Sequence, residues 1–160
     1  MVYPVPRMSA DEGAAWLGLI RVCELLPSAL DSQLQRDSDM THFEFIVLTF
    51  LRRMPEASAT VSEIAEATNA TLSRLSHVCS RLQSRGLVHK SACATDRRVT
   101  WVTLTSAGRR ELIRATPGHI AMARSLVVDA LSREDLAHLA RITAAIGERL
   151  DPGHRFGVQQ

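Results

Sequence analysis

Residues 60–104 constrain this chain most, because helix starts, a tight turn and a helix stop follow one another closely there. Thr60-Val61-Ser62-Glu63 has the form of a capping box. The threonine hydroxyl takes the amide three residues on, and the glutamate reaches back. The box opens a short helix over residues 62–67, with Ile64 and Ala65 turned inward, and Thr68-Asn69-Ala70 makes a tight turn. Thr71 caps a longer helix to Arg85, and Gly86 stops it where left-handed backbone suits glycine. Short helix, turn and longer helix predict a helix-turn-helix. Two runs rich in β-branched and aromatic residues follow, 87–90 and 99–104, joined by residues 91–96. Paired antiparallel, they form a wing.

Helical patterns flank this unit. From Asp11, residues Trp16, Leu19, Ile20, Cys23, Leu26, Leu30 and Leu34 recur at spacings of three and four on one apolar face. Pro27 should bend that helix, Asp37-Ser38-Asp39 ends it, and residues 1–10 read as a loose arm. Thr41-His42-Phe43-Glu44 is another capping box, opening a helix through Phe45, Ile46, Leu48 and Leu51. Glu56-Ala57-Ser58-Ala59 reads as a linker. Thr105-Ser106-Ala107-Gly108 starts a helix to about Ala115, and Pro117 restarts it with Ile120, Ala123, Leu126 and Val127 on one face. Ser132 caps a last helix carrying Leu136, Leu139, Ile142, Ile146 and Leu150, followed by a frayed tail.

The expected architecture is mainly α with a small β-wing. A winged helix-turn-helix core (residues 41–115) is flanked by an N-terminal arm and dimerisation helix (1–40) and C-terminal dimerisation helices (116–160). The flanking apolar faces suit packing within one chain or onto a second copy. Two-half-site recognition by such motifs favours the copy.

Charge sharpens the reading. Residues 69–115 hold nine basic side chains against two acidic ones, a net of +7, while the whole chain carries +2, which leaves −5 elsewhere. That asymmetry is the footprint of a polyanion-binding region. No apolar run approaches the roughly 18 residues of a membrane span, and the N-terminus lacks a signal peptide's apolar stretch, so a cytoplasmic protein with no membrane partner is expected. Cys23, Cys79 and Cys93 form no CxxC pair, so neither disulfides, a metal nor a cofactor is indicated. No nucleophile set, HExxH or glycine-rich phosphate loop is present, which argues against an enzyme.

On the helix over residues 71–85, Leu72, Leu75, Val78, Cys79 and Leu82 share the face expected to be core. Ser73, Arg74, His77 and Arg81, with Ser76 at the edge, form the opposite face. A helix fits the major groove and its N-terminal residues reach base edges. Arg74 suits the O6 and N7 of a guanine; Ser73, Ser76 and His77 suit bases or phosphates. In the wing, Arg98 is the minor-groove residue, Arg97 a phosphate contact, and Asp96 the acceptor that orients Arg98. The expected partner is double-stranded DNA.

Ile64-Ala65-Glu66, the run Arg81-Leu82-Gln83-Ser84-Arg85-Gly86-Leu87-Val88, then Asp96-Arg97-Arg98 and Val102-Thr103-Leu104-Thr105-Ser106-Ala107-Gly108 together resemble the MarR family of transcriptional regulators. The resemblance implies a homodimer clasped by terminal helices, a palindromic operator and, often, release by a small aromatic acid or an oxidant. Gln83 departs from the acidic residue frequent there, and Thr68-Asn69-Ala70 lacks the usual glycine. The resemblance places an effector between the dimerisation helices and the DNA-binding lobe, where Trp16, His42 and Phe45 are candidate contacts; a core role for Trp16 and an exposed first-turn role for His42 fit equally. Cys23 and Cys79 read as inert core, and Cys93, near the wing arginines, is the candidate redox thiol. A winged-helix protein-interaction module and a redox-sensing regulator are the alternatives.

Overall fold

The computed structural model describes residues 7–93, 96, 98–153 and 155. Helix α1 spans Ala10–Ser38 and starts on a capping box that the spacing did not announce: the Glu12 amide donates to Ser9 Oγ at 3.2 Å, and the Ser9 amide to Glu12 Oε2 at 2.7 Å. It runs through Pro27 and stops at Asp39, whose φ of 47° turns the chain left-handed. Helix α2, His42–Arg53, begins on the predicted Thr41–Glu44 box, with mutual bonds of 3.1 and 2.8 Å.

The supposed linker at residues 56–59 is more ordered than expected. Glu56 and Ala57 both adopt φ of 53°, and the chain then enters strand β1, Ser58–Thr60. Helix α3, Val61–Ala67, starts on the Thr60–Glu63 box, and Thr71 caps α4, Leu72–Ser84. Gly86 takes φ +70°, as its place after the helix requires. Strands β2, Val88–Ala92, and β3, Thr100–Leu104, form the wing. The sheet is antiparallel in the order β1-β3-β2, with Ala59 opposite Val102 and Val88 opposite Leu104. Spacing does not reveal this strand, because three residues are too few for an alternating pattern and their partner strand lies some forty residues on.

Helix α5, Ser106–Ala123, does not restart at Pro117 but passes through it, and a π-helical turn, Arg124–Val128, leads towards α6, Arg133–Leu150. The Thr116 hydroxyl donates to the Leu112 carbonyl at 2.7 Å just before the proline. Gly108 lies in the first turn of α5 so near the start of β2 that a Cβ would run into the Leu87 carbonyl oxygen, which gives the glycine ending the run Leu104-Thr105-Ser106-Ala107-Gly108 a steric reason.

Leu48 and Leu51 of α2, Ile64 of α3, Leu75, Cys79 and Leu82 of α4, Val102 of β3 and Leu112 of α5 make one core, joined from α1 by Leu34. The faces drawn from spacing are correct in direction but not always covered. Cys23 is exposed, not core, because none of the described residues of the single chain lies over the first half of α1. Trp16, Leu17, Ile20, Val22 and Leu25 stand exposed there, as do Ile120 of α5 and Leu139 and Ile142 of α6. None of the residues of α6 is buried. By length and composition α1 is apolar enough to cross a membrane, with a mean hydropathy of 1.3 over its best window, contrary to the expectation that no stretch approaches this. Arg21 and Glu24 interrupt the stretch, so the sequence holds no unbroken apolar run of that length.

Candidate DNA-binding surface

Helix α4 overhangs the core at its N-terminal end. Leu75 and Cys79 are completely buried, whereas Leu72, one turn before Leu75, is 57% exposed. The sequence reading placed Leu72 in the core. The spacing is right, but the body of the protein ends before the first turn of the helix does. Ser73, Arg74, Ser76 and His77 are all exposed on this projecting end. A helix that is to enter a groove some 12 Å wide needs such an overhang.

Helix α2 holds the arginines on one edge of α4. The Arg74 guanidinium lies over the Phe43 ring, 4.2 Å from its centroid. Arg81 donates from Nε and Nη2 to the two oxygens of Glu44 at 2.7 and 2.6 Å. Arg85 reaches the Asp39 carbonyl at 2.6 Å. Burial alone would raise the Glu44 carboxyl, but the hydrogen bonds from Arg81, then the Thr41 amide, outweigh it and hold its pKa below the ordinary value. The Arg81 side chain is about half exposed, yet two of its nitrogens are engaged by Glu44, so its first role here is to seat α4 on α2.

In the wing, the Arg98 amide donates to Asp96 Oδ1 at 2.9 Å, and its guanidinium meets both Asp96 oxygens at 3.2 Å. These bonds, the side-chain ones first, hold the Asp96 carboxyl below its ordinary pKa. The Arg98 side chain remains 90% exposed, so a cation directed by Asp96 faces solvent at the wing. Arg97 lies outside the described residues, as do the first residues of the N-terminal arm and most of the tail.

A second cluster lies where α1, α2 and α5 meet. The His42 amide donates to Asp31 Oδ1 of α1 at 2.8 Å. The ring of His119, from α5, stands 4.3 Å from that of Phe45 and 5.5 Å from that of His42. His119 Nδ1 is buried and has no hydrogen-bond partner among the described residues. Burial lowers the pKa of both histidines; the Asp31 carboxylate partly offsets this for His42, while His42 adds to it for His119. His42 and Phe45 are thus brought together. Trp16 is not: it precedes Asp31 by fifteen residues on one helix, about 22 Å along the axis.

The sequence model of the MarR family matches residues 38–99. Sco3205, a MarR family transcriptional regulator from Streptomyces coelicolor solved in complex with DNA, is 34% identical; the match covers 92% of this chain and 96% of that one, with a TM-score of 0.83. The chain belongs to the MarR family. AbsC, a MarR family transcriptional regulator from the same organism, is 30% identical over 92% of this chain and 99% of its own, with a TM-score of 0.84. BpsR of Bordetella bronchiseptica, whose DNA binding is regulated by 6-hydroxynicotinic acid, shares the fold at 22% identity, covering 89% and 99% of the two chains with a TM-score of 0.74.

MarR proteins are DNA-binding transcription regulators built on a winged helix, not enzymes, and the sheet and helices here are that fold. Within this MarR chain, Cys79 is the inert thiol expected: burial, slightly opposed by Lys90, pushes its pKa up to about 11. Phe43, Glu44 and His119 were not singled out from sequence. Phe43 and Glu44 were visible only as a capping box, and nothing in local spacing links His119 to His42.

Proposed function

We propose that this MarR protein is a homodimeric, sequence-specific repressor that binds a palindromic operator in double-stranded DNA and resides in the cytoplasm. The two copies of α4 enter successive major grooves, with Ser73, Arg74, Ser76 and His77 at base edges and phosphates. Arg81 lies behind them, nearer the backbone. Arg98, aimed by Asp96, enters the flanking minor groove, and Arg97 meets a phosphate. The observation that carries this reading is the overhanging, polar N-terminal end of α4 in a chain 34% identical to a regulator solved on DNA.

The DNA-binding region is residues 41–115, and the flanking segments hold the copies together. The apolar side chains left uncovered on α1, α5 and α6 supply the surface for that contact. The same contact accounts for the apolar length of α1, so we assign that helix to a subunit interface and not to a membrane.

A small planar acid or phenol is the effector class that fits the junction of α1, α2 and α5. Phe45 offers a ring and His42 and His119 offer nitrogens; the BpsR regulator responds to an aromatic acid. Trp16 would join such a site only from elsewhere in the dimer. No cofactor, metal or catalytic step is part of this reading.

Selection of bound duplexes from a random pool by the purified protein tests the proposal. The expected result is one enriched motif with two inverted half-sites about a helical turn apart. Recovery of no motif, or of a single asymmetric half-site, would overturn the palindromic dimer.

A further inference from the structure

We infer that Leu72 reads the C5 methyl group of a thymine in the major groove. The inference rests on the DNA-binding reading above and adds a base contact to it. Leu72 is the first residue of α4 and is 57% exposed, while Leu75 and Cys79, three and seven positions on, are completely buried. On the helix surface its neighbour one turn on is Ser76, which is exposed; Ser73 and Arg74 follow it directly and are exposed as well.

The projecting end of α4 is therefore polar except at one position. Single exposed leucines are ordinary on protein surfaces, so exposure alone decides nothing. Placement does. This leucine stands on the turn whose exposed polar members the DNA-binding reading assigns to base edges, where polar groups alone would offer its side chain no apolar contact. The major groove offers one apolar feature in unmodified DNA, the thymine methyl. Serine and arginine side chains satisfy donors and acceptors at neighbouring base pairs, and only an apolar side chain gains from covering a methyl group. A leucine with its side chain free of the core has the reach and the rotamer freedom to do so.

Replacing thymine by deoxyuridine removes that methyl and nothing else. The experiment takes the selected operator, substitutes deoxyuridine for each thymine in turn, and measures Kd for the full-length protein, for Leu72→Ala and for Leu72→Met. Leu72→Ala is expected to fold as the parent does, since the side chain is largely outside the core and alanine favours helix; a melt followed by circular dichroism checks this. At one thymine per half-site the parent should weaken about fourfold on losing the methyl, and about fifteenfold when both half-sites are changed, the value of one buried carbon each. Leu72→Ala should show no difference between thymine and deoxyuridine at that position, and Leu72→Met should keep one. If the parent binds its operator but no thymine methyl matters, or if the methyl effect survives in Leu72→Ala, the Leu72 inference fails while the DNA-binding reading stands. If the parent binds no duplex at all, both fall.

Discussion

Arg81 lays Nε and Nη2 on the two carboxylate oxygens of Glu44, at 2.7 and 2.6 Å, and so joins the middle of α4 to the first turn of α2. The Glu44 side chain is completely buried and the Arg81 side chain about half exposed, which makes the pair asymmetric. Arg81→Leu leaves a buried carboxylate with only the Thr41 cap and Arg85, 3.8 Å away, whereas Glu44→Gln leaves a guanidinium that water can reach. Arg81→Leu should cost roughly 3 kcal/mol in chemical unfolding, and Glu44→Gln about 1 kcal/mol. Because the folded pKa of Glu44 is lowered, its contribution is present above the ordinary glutamate value and is lost as pH falls through the folded one. The acid limb of the stability curve should therefore be shallower in Glu44→Gln than in the parent, and equal limbs would contradict the assignment.

Arg74 over Phe43 is a lighter contact with a functional readout. Arg74 is exposed and Phe43 is partly buried against the core; the cation–π contact is worth about 0.5–1 kcal/mol, so Phe43→Leu, which keeps an apolar side chain there, should cost about 1 kcal/mol of stability. It should, however, loosen the aim of Arg74. Arg74→Ala is expected to cost roughly 1–3 kcal/mol at one base pair of the operator and relax preference there. Phe43→Leu should relax preference at the same base pair and no other, and Phe43→Tyr should restore it. Binding measured across single-base operator variants distinguishes these outcomes.

The wing pair separates stability from binding. Asp96 and Arg98 are both solvent-exposed, so Asp96→Ala should leave the melting temperature within about a degree of the parent. DNA affinity should fall nonetheless, because an undirected arginine loses orientation before it reaches the groove. Arg98→Ala should fall further and flatten the dependence of log K on log salt by about one unit. Equal affinities for parent and both variants would remove the wing from the interface.

The histidines at the α1–α2–α5 junction predict acid sensitivity. Both folded pKa values lie below the ordinary 6.5, so the unfolded chain binds protons first as pH drops. The neutral pair supports the fold above that value, and its support is lost as pH falls through the lowered folded values. Thermal stability should decline between about pH 7 and pH 5, and His119→Phe, which keeps a ring beside Phe45, should flatten that decline. An unchanged pH profile in His119→Phe would mean that the imidazole plays no part in it.

Much of this fold was legible because capping residues are local. Thr41, Thr60, Thr71, Thr105 and Ser132 each accept the amide three residues on, and each marks a helix start within a residue of where the spacing put it. The Asp96–Arg98 bond was legible for the same reason, since the partners are two residues apart. What stayed hidden depends on distant partners. Spacing put Leu72 and Cys23 on apolar faces, but coverage of a face is a property of whatever packs there. Ser58–Thr60 is a strand only because Thr100–Leu104 lies beside it. The burial of Glu44 and the meeting of His42 with His119 arise from packing of helices far apart in sequence.

Equilibrium binding of the purified protein to its selected operator over a range of salt concentrations is the most direct test of two cationic surfaces on one duplex. With each copy neutralising about three phosphates, log K should fall against log salt with a slope of about −5, and a scrambled duplex should bind far more weakly at every concentration. A slope near zero, or equal affinity for operator and scrambled duplex, would contradict the account.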